Sequence, residues 1–111
     1  MQVRTSRLGV ATYLAPDGPL TRETLAALEA GVAEARAKGA VDLVVDLRRV
    51  PFADSRALEY LLDLSAELRR KDGSLRLANP GEICRDILAV TGLDQSIPVF
   101  ADLESAGGSF L

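Results

Sequence analysis

Residues 50–58 read V-P-F-A-D-S-R-A-L and set a carboxyl, Asp54, beside a hydroxyl, Ser55, directly after an apolar run and directly before leucines at helical spacing. Two chemistries suit that pair. An Asp or Ser at a helix start accepts a hydrogen bond from a free backbone N–H, worth typically ~1 kcal/mol. A helix N-terminus also offers unpaired N–H donors and a favourable dipole to an anion, so a phosphoryl group on the Ser55 hydroxyl would be tolerated there. On residue chemistry alone, capping suffices to explain both side chains. The remaining candidates read more simply. Cys84 stands near a helix start and would need a lowered thiol pKa to react; ordinary packing accounts for it. Asp42 and Asp46 flank an apolar strand and suit turn and loop hydrogen bonding better than a metal pair. Arg69, Arg70 and Lys71 close a helix, where cations favour the dipole and meet solvent.

The chain around these groups has 111 residues, 48% of them hydrophobic, with one Cys, no His and no Trp. At this length folding removes roughly two-thirds of the unfolded chain's surface from water, so one domain is expected over residues 1–111, with its core over 8–106 and a frayed tail over 107–111. A lone Cys84 cannot form an internal disulfide, and the expected compartment is the cytoplasm. The absence of His removes the commonest general base and the commonest metal ligand together, which shifts the expectation from an enzyme to a binding protein without metal or cofactor. Lys and Arg number 13 against 16 Asp and Glu, a formal net charge of −3. That balance argues against a nucleic-acid or anionic-membrane partner, because both are held by a cationic field. The longest uncharged stretch, residues 8–16, falls far short of the ~20 residues that span a bilayer, and the first twelve residues lack the apolar core of a signal peptide. A soluble chain without membrane insertion is expected.

The elements that must position Asp54 and Ser55 follow from patterning. β-favouring residues interrupted at Gly9 predict a hairpin or two short strands over residues 1–14. A loop cluster at Pro16, Asp17, Gly18 and Pro19 precedes Thr21 as N-cap of a helix with Leu25, Leu28, Val32 and Ala35 inward, closed by Gly39. Residues 41–47, V-D-L-V-V-D-L, suit a strand buried on both faces, the expected centre of the sheet. Pro51 ends it, and Leu58, Leu61, Leu62 and Leu68 mark a second helix running to Gly73. Residues 75–78 form a third strand region. Asn79-Pro80 then reads as an N-cap and first-turn proline of a helix with Ile83, Ile87, Leu88 and Val90 inward, ended by Gly92. A short strand near residues 97–100 and a brief helix capped by Asp102 and broken at Gly107-Gly108 complete the chain. Alternating strands and helices predict an α/β fold, a single domain with a mixed, partly parallel β-sheet and about four helices. The loop around Pro51 to Ala57 then lies outside the carboxyl end of the central strand, where such sheets place ligand and partner surfaces.

The stretch L-V-V-D-L-R-R-V-P-F-A-D-S-R-A-L-E-Y-L-L, residues 43–62, resembles the core of STAS domains, the anti-sigma factor antagonists or anti-anti-sigma factors, in which a strand ending D-L leads through an apolar pair to D-S-x-G-L and a helix. Later pieces agree in order: Gly73-Ser74-Leu75-Arg76-Leu77 resembles the family's G-x-L-x-L strand, Asn79-Pro80 its strand-to-helix turn, and residues 87–93, I-L-A-V-T-G-L, its L-x-x-T-G-L helix end. Residues 99–106 resemble the closing strand and helix, so the likeness covers nearly the whole domain from Thr21. The resemblance implies partner switching in bacterial transcription regulation. The unphosphorylated domain would bind an anti-sigma factor that is a GHKL-type serine protein kinase, and phosphorylation of Ser55 would end the binding. It implies a partner surface of Phe52, Asp54, Ser55, Arg56 and Ala57, with Asp17 and Gly18 in the loop beside it.

The chain departs from the family at two points: Ala57 stands where a glycine is common, and Arg56 where a small polar residue is. Ala favours helix over Gly by about 1 kcal/mol, so the helix is expected to start more firmly and to hold Ser55 less accessibly, with Arg56 placed to pair with a phosphate or with Asp54. Two other functions fit the same residues. One is a constitutive STAS subunit of an ABC-type lipid transporter or a stressosome-like scaffold, binding without a phosphate cycle. The other is a nucleotide or small-molecule sensor using the helix N-termini.

Overall fold

At Gly9, where the N-terminal strand signal breaks, the chain reverses. In the computed structural model, which describes residues 1–110, β1 (Val3–Leu8) and β2 (Ala11–Pro16) pair antiparallel with Leu8 opposite Ala11. Gly9 takes the left-handed conformation, φ 61°, that a two-residue hairpin turn requires. The chain then alternates: α1 (Leu25–Ala37), β3 (Asp42–Asp46), α2 (Ser55–Arg70), β4 (Ser74–Ala78), α3 (Glu82–Val90), a 3-10 turn at Leu93–Gln95, β5 (Val99–Phe100) and α4 (Leu103–Gly108). The five strands lie in the order β1-β2-β3-β4-β5, with every pair after the hairpin parallel. This is the expected α/β architecture, with a mixed sheet and four α-helices, and β3 is its middle strand.

Strand side chains alternate between faces, and the two faces are built differently. Leu14, Leu43, Val45, Leu75 and Leu77 point to one side, where α1, α2 and α3 bring Leu28, Leu61, Leu68 and Leu88 into a single continuous core. On the other side Tyr13, Val44 and Ala78 meet the short α4 through Ala106, with Phe100, Leu103 and Phe110 at the margin. Gly73 fits the seam between α2 and β4, because a Cβ there would collide with the Val41 carbonyl. The left-handed residue after α2 is Asp72, φ 61°, rather than Gly73.

Four expectations are corrected. Helix α1 starts at Leu25, not after Thr21. The Thr21 carbonyl accepts the N–H groups of Thr24 and Leu25, and the Thr24 hydroxyl donates to the Pro19 carbonyl at 2.6 Å, so the hydroxyl residues are consumed in a turn that precedes the helix. Asn79 is not an N-cap: it is left-handed at φ 57°, its N–H donates to the Phe100 carbonyl, and α3 begins only at Glu82 behind Gly81. Helix α3 is also rotated from its expected phase. Cys84 and Leu88 are buried with Ile87 beside them, whereas Ile83 and Val90 are 62% and 87% exposed. The helix carries more apolar residues than one stripe holds, and the inward stripe is the one on which Cys84 and Leu88 join the core and the Cys84 thiol donates to the Val50 carbonyl. On α2, Leu62 is 40% exposed, and Leu64 and Ser65 complete the buried side.

The fourth is the expected helix break at Gly107-Gly108. Helix α4 continues through Gly107 and Gly108, and Gly107 is where the Tyr13 hydroxyl approaches so closely that a Cβ would collide with it. Just beyond that helix the Arg76 guanidinium lies 3.7 Å from the centre of the Phe110 ring, a cation–π contact. Leu111 lies outside the described residues.

Candidate functional site: the loop pair at Asp54 and Ser55

Beyond β3 the chain stays tied to the sheet for a short distance: the Leu47 N–H donates to the Ala78 carbonyl and the Val50 N–H to the Leu47 carbonyl. Pro51, which has no N–H to give, then releases it toward the loop before α1. There Leu20 and Ala53 form an isolated parallel bridge. The Leu20 N–H donates to the Phe52 carbonyl at 3.0 Å, and the Asp54 N–H returns to the Leu20 carbonyl at 2.9 Å. Leu20 is fully buried beneath this junction. The two loops therefore form one surface.

Asp54 fastens that surface a second time. It occupies the N-cap of α2 in an extended conformation, and its Oδ1 accepts the Ala57 N–H at 3.0 Å. Its Oδ2 accepts the Arg22 N–H, in the loop before α1, at 2.8 Å. These bonds favour the charged carboxylate, first Ala57 and then Arg22, and hold its pKa below the ordinary aspartate value. The Arg22 guanidinium adds a further attraction, so the cation acting on Asp54 is Arg22 rather than the expected Arg56.

Because Asp54 takes the cap, Ser55 is left with none of that work. It is the first residue of α2 and exposed, as is Arg56. Ala57 is completely buried: its methyl group joins the core at the position where a glycine would leave a gap, and it firms the first turn while Ser55 stays reachable. Phe52, 44% exposed, stands on the loop before the cap. Both Asp54 oxygens are committed to backbone N–H groups and the chain has no His. The arrangement suits Ser55 as a hydroxyl that receives a group from outside better than as an activated nucleophile.

Asp17 and Gly18 belong to the same connection between β2 and α1, but they face another way. The Asp17 carboxylate accepts the Gln2 N–H at 2.8 Å and its own N–H donates to the Gln2 carbonyl, which extends the hairpin. Gly18 is half-buried beside Met1. The residues that join the second loop to Asp54 are Leu20 and Arg22, which the sequence did not single out. Their contribution is made by backbone atoms, and those leave no side-chain signature.

The other candidates have structural partners. Asp46 accepts from the Arg48 N–H and the Asn79 amide, and Asp42 from the Ser74 hydroxyl. Burial pushes the Cys84 thiol pKa up, away from reactivity. Arg69 is more than a solvated helix end, since its guanidinium donates to the Ser96 carbonyl at 2.6 Å.

A family model for the STAS domain matches residues 2–106, and the chain belongs to that family. No curated protein matches it in sequence. Among solved structures it is similar to the Thermotoga maritima protein TM1081, with TM-score 0.89 and 19% identity over 96% of this chain and 92% of that one. The phosphorylated form of the Bacillus cell fate determinant SpoIIAA superposes with TM-score 0.72 and 21% identity, covering 98% of this chain and 99% of that one. The murine anion transporter Slc26a9 contains a similar unit: TM-score 0.69 and 18% identity over 91% of this chain but only 18% of the transporter. At these identities the likeness is one of fold, the STAS fold of anti-sigma factor antagonists such as SpoIIAA. No helix among the described residues is long and apolar enough to cross a membrane.

Proposed function

We propose that this domain is a cytoplasmic anti-sigma-factor-antagonist-type switch in bacterial transcription regulation. It docks an anti-sigma factor of the GHKL serine-kinase type through the joined loops, and phosphorylation of Ser55 ends the docking. The observation that carries the reading is the division of labour at the start of α2: Asp54 takes the cap and fastens both loops, leaving Ser55 exposed on the surface they share. A phosphate there adds about −1.5 to −2 charges at neutral pH, beside a carboxylate whose pKa is held low and on a domain of net charge −3. In the free domain the helix end offsets it by ~0.3–2 kcal/mol, with Arg22 and Arg56 near by. Against an acidic or apolar partner surface the same group costs several kcal/mol, roughly, and each 1.4 kcal/mol weakens affinity about tenfold. In this reading the domain is a kinase's substrate and not an enzyme.

The fold shared with part of Slc26a9 favours a second reading, in which the same surface binds constitutively as a subunit of a transporter or scaffold. One experiment separates the two. The domain is incubated with ATP and host lysate, modified residues are mapped, and captured partners are identified for the unmodified and phosphorylated forms. Label on Ser55 and release of a GHKL-type kinase from the phosphorylated form are expected. Equal capture by both forms would refute the switch, and retained binding with no label on Ser55 would move the assignment to the constitutive subunit.

A further inference from the structure

We propose that the cleft on the α4 face of the sheet holds the phosphate group of a small phosphomonoester between Arg4, Arg48 and Arg49. Register brings the first of these to the site. Arg4 lies opposite Ala15 and Ser6 opposite Tyr13, so Arg4 shares the face that carries Tyr13. The turn after β3 supplies Arg48 and Arg49. Helix α4 is only six residues long, and beside it remains a cleft of about 520 Å³ lined by these three arginines, by Tyr13 and Pro16 as a buried floor, and by Leu103 at the edge of α4.

Three guanidinium groups face two carboxylates in the cleft, which leaves a single positive charge in excess. Asp46 and Asp17 line it too, but Asp46 accepts from the Arg48 N–H and the Asn79 amide, and Asp17 from the Gln2 N–H. Among the described residues the ion pairs are Arg36–Glu67 and Lys38–Glu34, so none of the three guanidinium groups has a carboxylate partner. On a domain of net charge −3 this is a small local excess of positive charge, with no guanidinium of the cleft tied to a carboxylate. A planar guanidinium offers paired N–H groups that match two phosphate oxygens. The cleft lies outside the carboxyl ends of β2 and β3, the end of an α/β sheet where ligands collect. Its volume falls within the ~300–1,000 Å³ of small-molecule sites, which leaves room for an organic body beyond the phosphate. Neither Asp54 nor Ser55 lines it, so this inference does not rest on the switch.

The chemistry fits a soluble metabolite or a lipid headgroup, and the test distinguishes them. The isotope-labelled full chain is titrated with inorganic phosphate and with glycerol phosphate, followed by amide NMR at an ionic strength held constant with sodium chloride. In parallel it is sedimented with phosphatidylcholine vesicles with and without phosphatidic acid. Saturable shifts at Thr5, Arg48 and Arg49 are expected, and they weaken about tenfold or more in a doubly substituted Arg48→Gln, Arg49→Gln chain whose unfolding midpoint is unchanged. Saturation by glycerol phosphate without sedimentation supports the site and assigns a soluble ligand. Sedimentation that needs phosphatidic acid and both arginines supports it and assigns a headgroup. The proposal is overturned by the absence of saturable shifts at millimolar phosphate, by equal shifts from chloride alone, or by equal affinity in the double variant.

Discussion

The two faces of the sheet are made from the same strands, yet one is closed and the other open. Under α1, α2 and α3, leucine and valine side chains from three helices and three strands merge into one buried core. Under α4, a few small residues and Tyr13 meet a single six-residue helix, and charged side chains remain on the strands: Asp42 and Asp46 on β3 and Arg76 on β4. The difference shows where this small domain obtains its stability and where it keeps room for other things. The closed face buries the large aliphatic side chains, whereas Arg4, Arg48 and Arg49 beside the open face stay exposed to solvent. The joined loops at Asp54 lie at the end of the closed side, where that core passes directly into the candidate partner surface.

Substitutions that damage each face in turn should rank accordingly. Leu68→Ala removes a fully buried side chain from the closed core and should cost about 2–5 kcal/mol, read as a fall in the urea midpoint with an unchanged slope. A loss below about 1 kcal/mol would mean that this face tolerates voids and is not the main source of stability. Gly107→Ala places a methyl group against the Tyr13 hydroxyl on the open face. The expected cost is about 1–3 kcal/mol if the neighbours cannot move; a neutral result would show that α4 shifts freely over the sheet. Asp54→Ala should have the smallest effect near neutrality, and its mark is its pH dependence. The folded-state pKa is lowered by backbone hydrogen bonds, so the native chain's advantage over the variant is fully present above the unfolded aspartate value, about 4. It disappears as pH falls through the lower folded value. Denaturation curves of the two proteins should therefore converge in acid; an advantage independent of pH would remove the carboxylate from the account.

Local patterning carried most of this architecture. The hairpin at Gly9, the buried V-D-L-V-V-D-L strand, the helix after Ser55 and the Asp102 cap are each decided by residues within a few positions of one another. The misreadings have a shared cause, which is tertiary competition for the same groups. Thr21 and Asn79 look like helix caps, but one gives its carbonyl to a preceding turn and the other its N–H to β5. Helix α3 presents two apolar stripes, and the tertiary core selects the one that carries Cys84 and Leu88. At the candidate site, Asp54 and Ser55 were legible as a pair, but their division of labour was not, because it depends on a bond to the backbone of Arg22, 32 residues away. The arginine cleft was invisible for a similar reason: Arg4 shares a cleft with Arg48 and Arg49 only once β1 is laid beside β2 and β2 beside β3.

A single carboxylate that grips the backbone of two loops also limits how a message can leave this corner of the molecule. With Leu20, Arg22 and Ala57 all tethered around Asp54, neither loop can swing away alone, and a visitor that touches one is reading the posture of both. In the proposed switch a mark at Ser55 would be conveyed by what the surface repels or attracts, with its contour left as it was, and erasing the mark would restore the original state with no refolding to wait for.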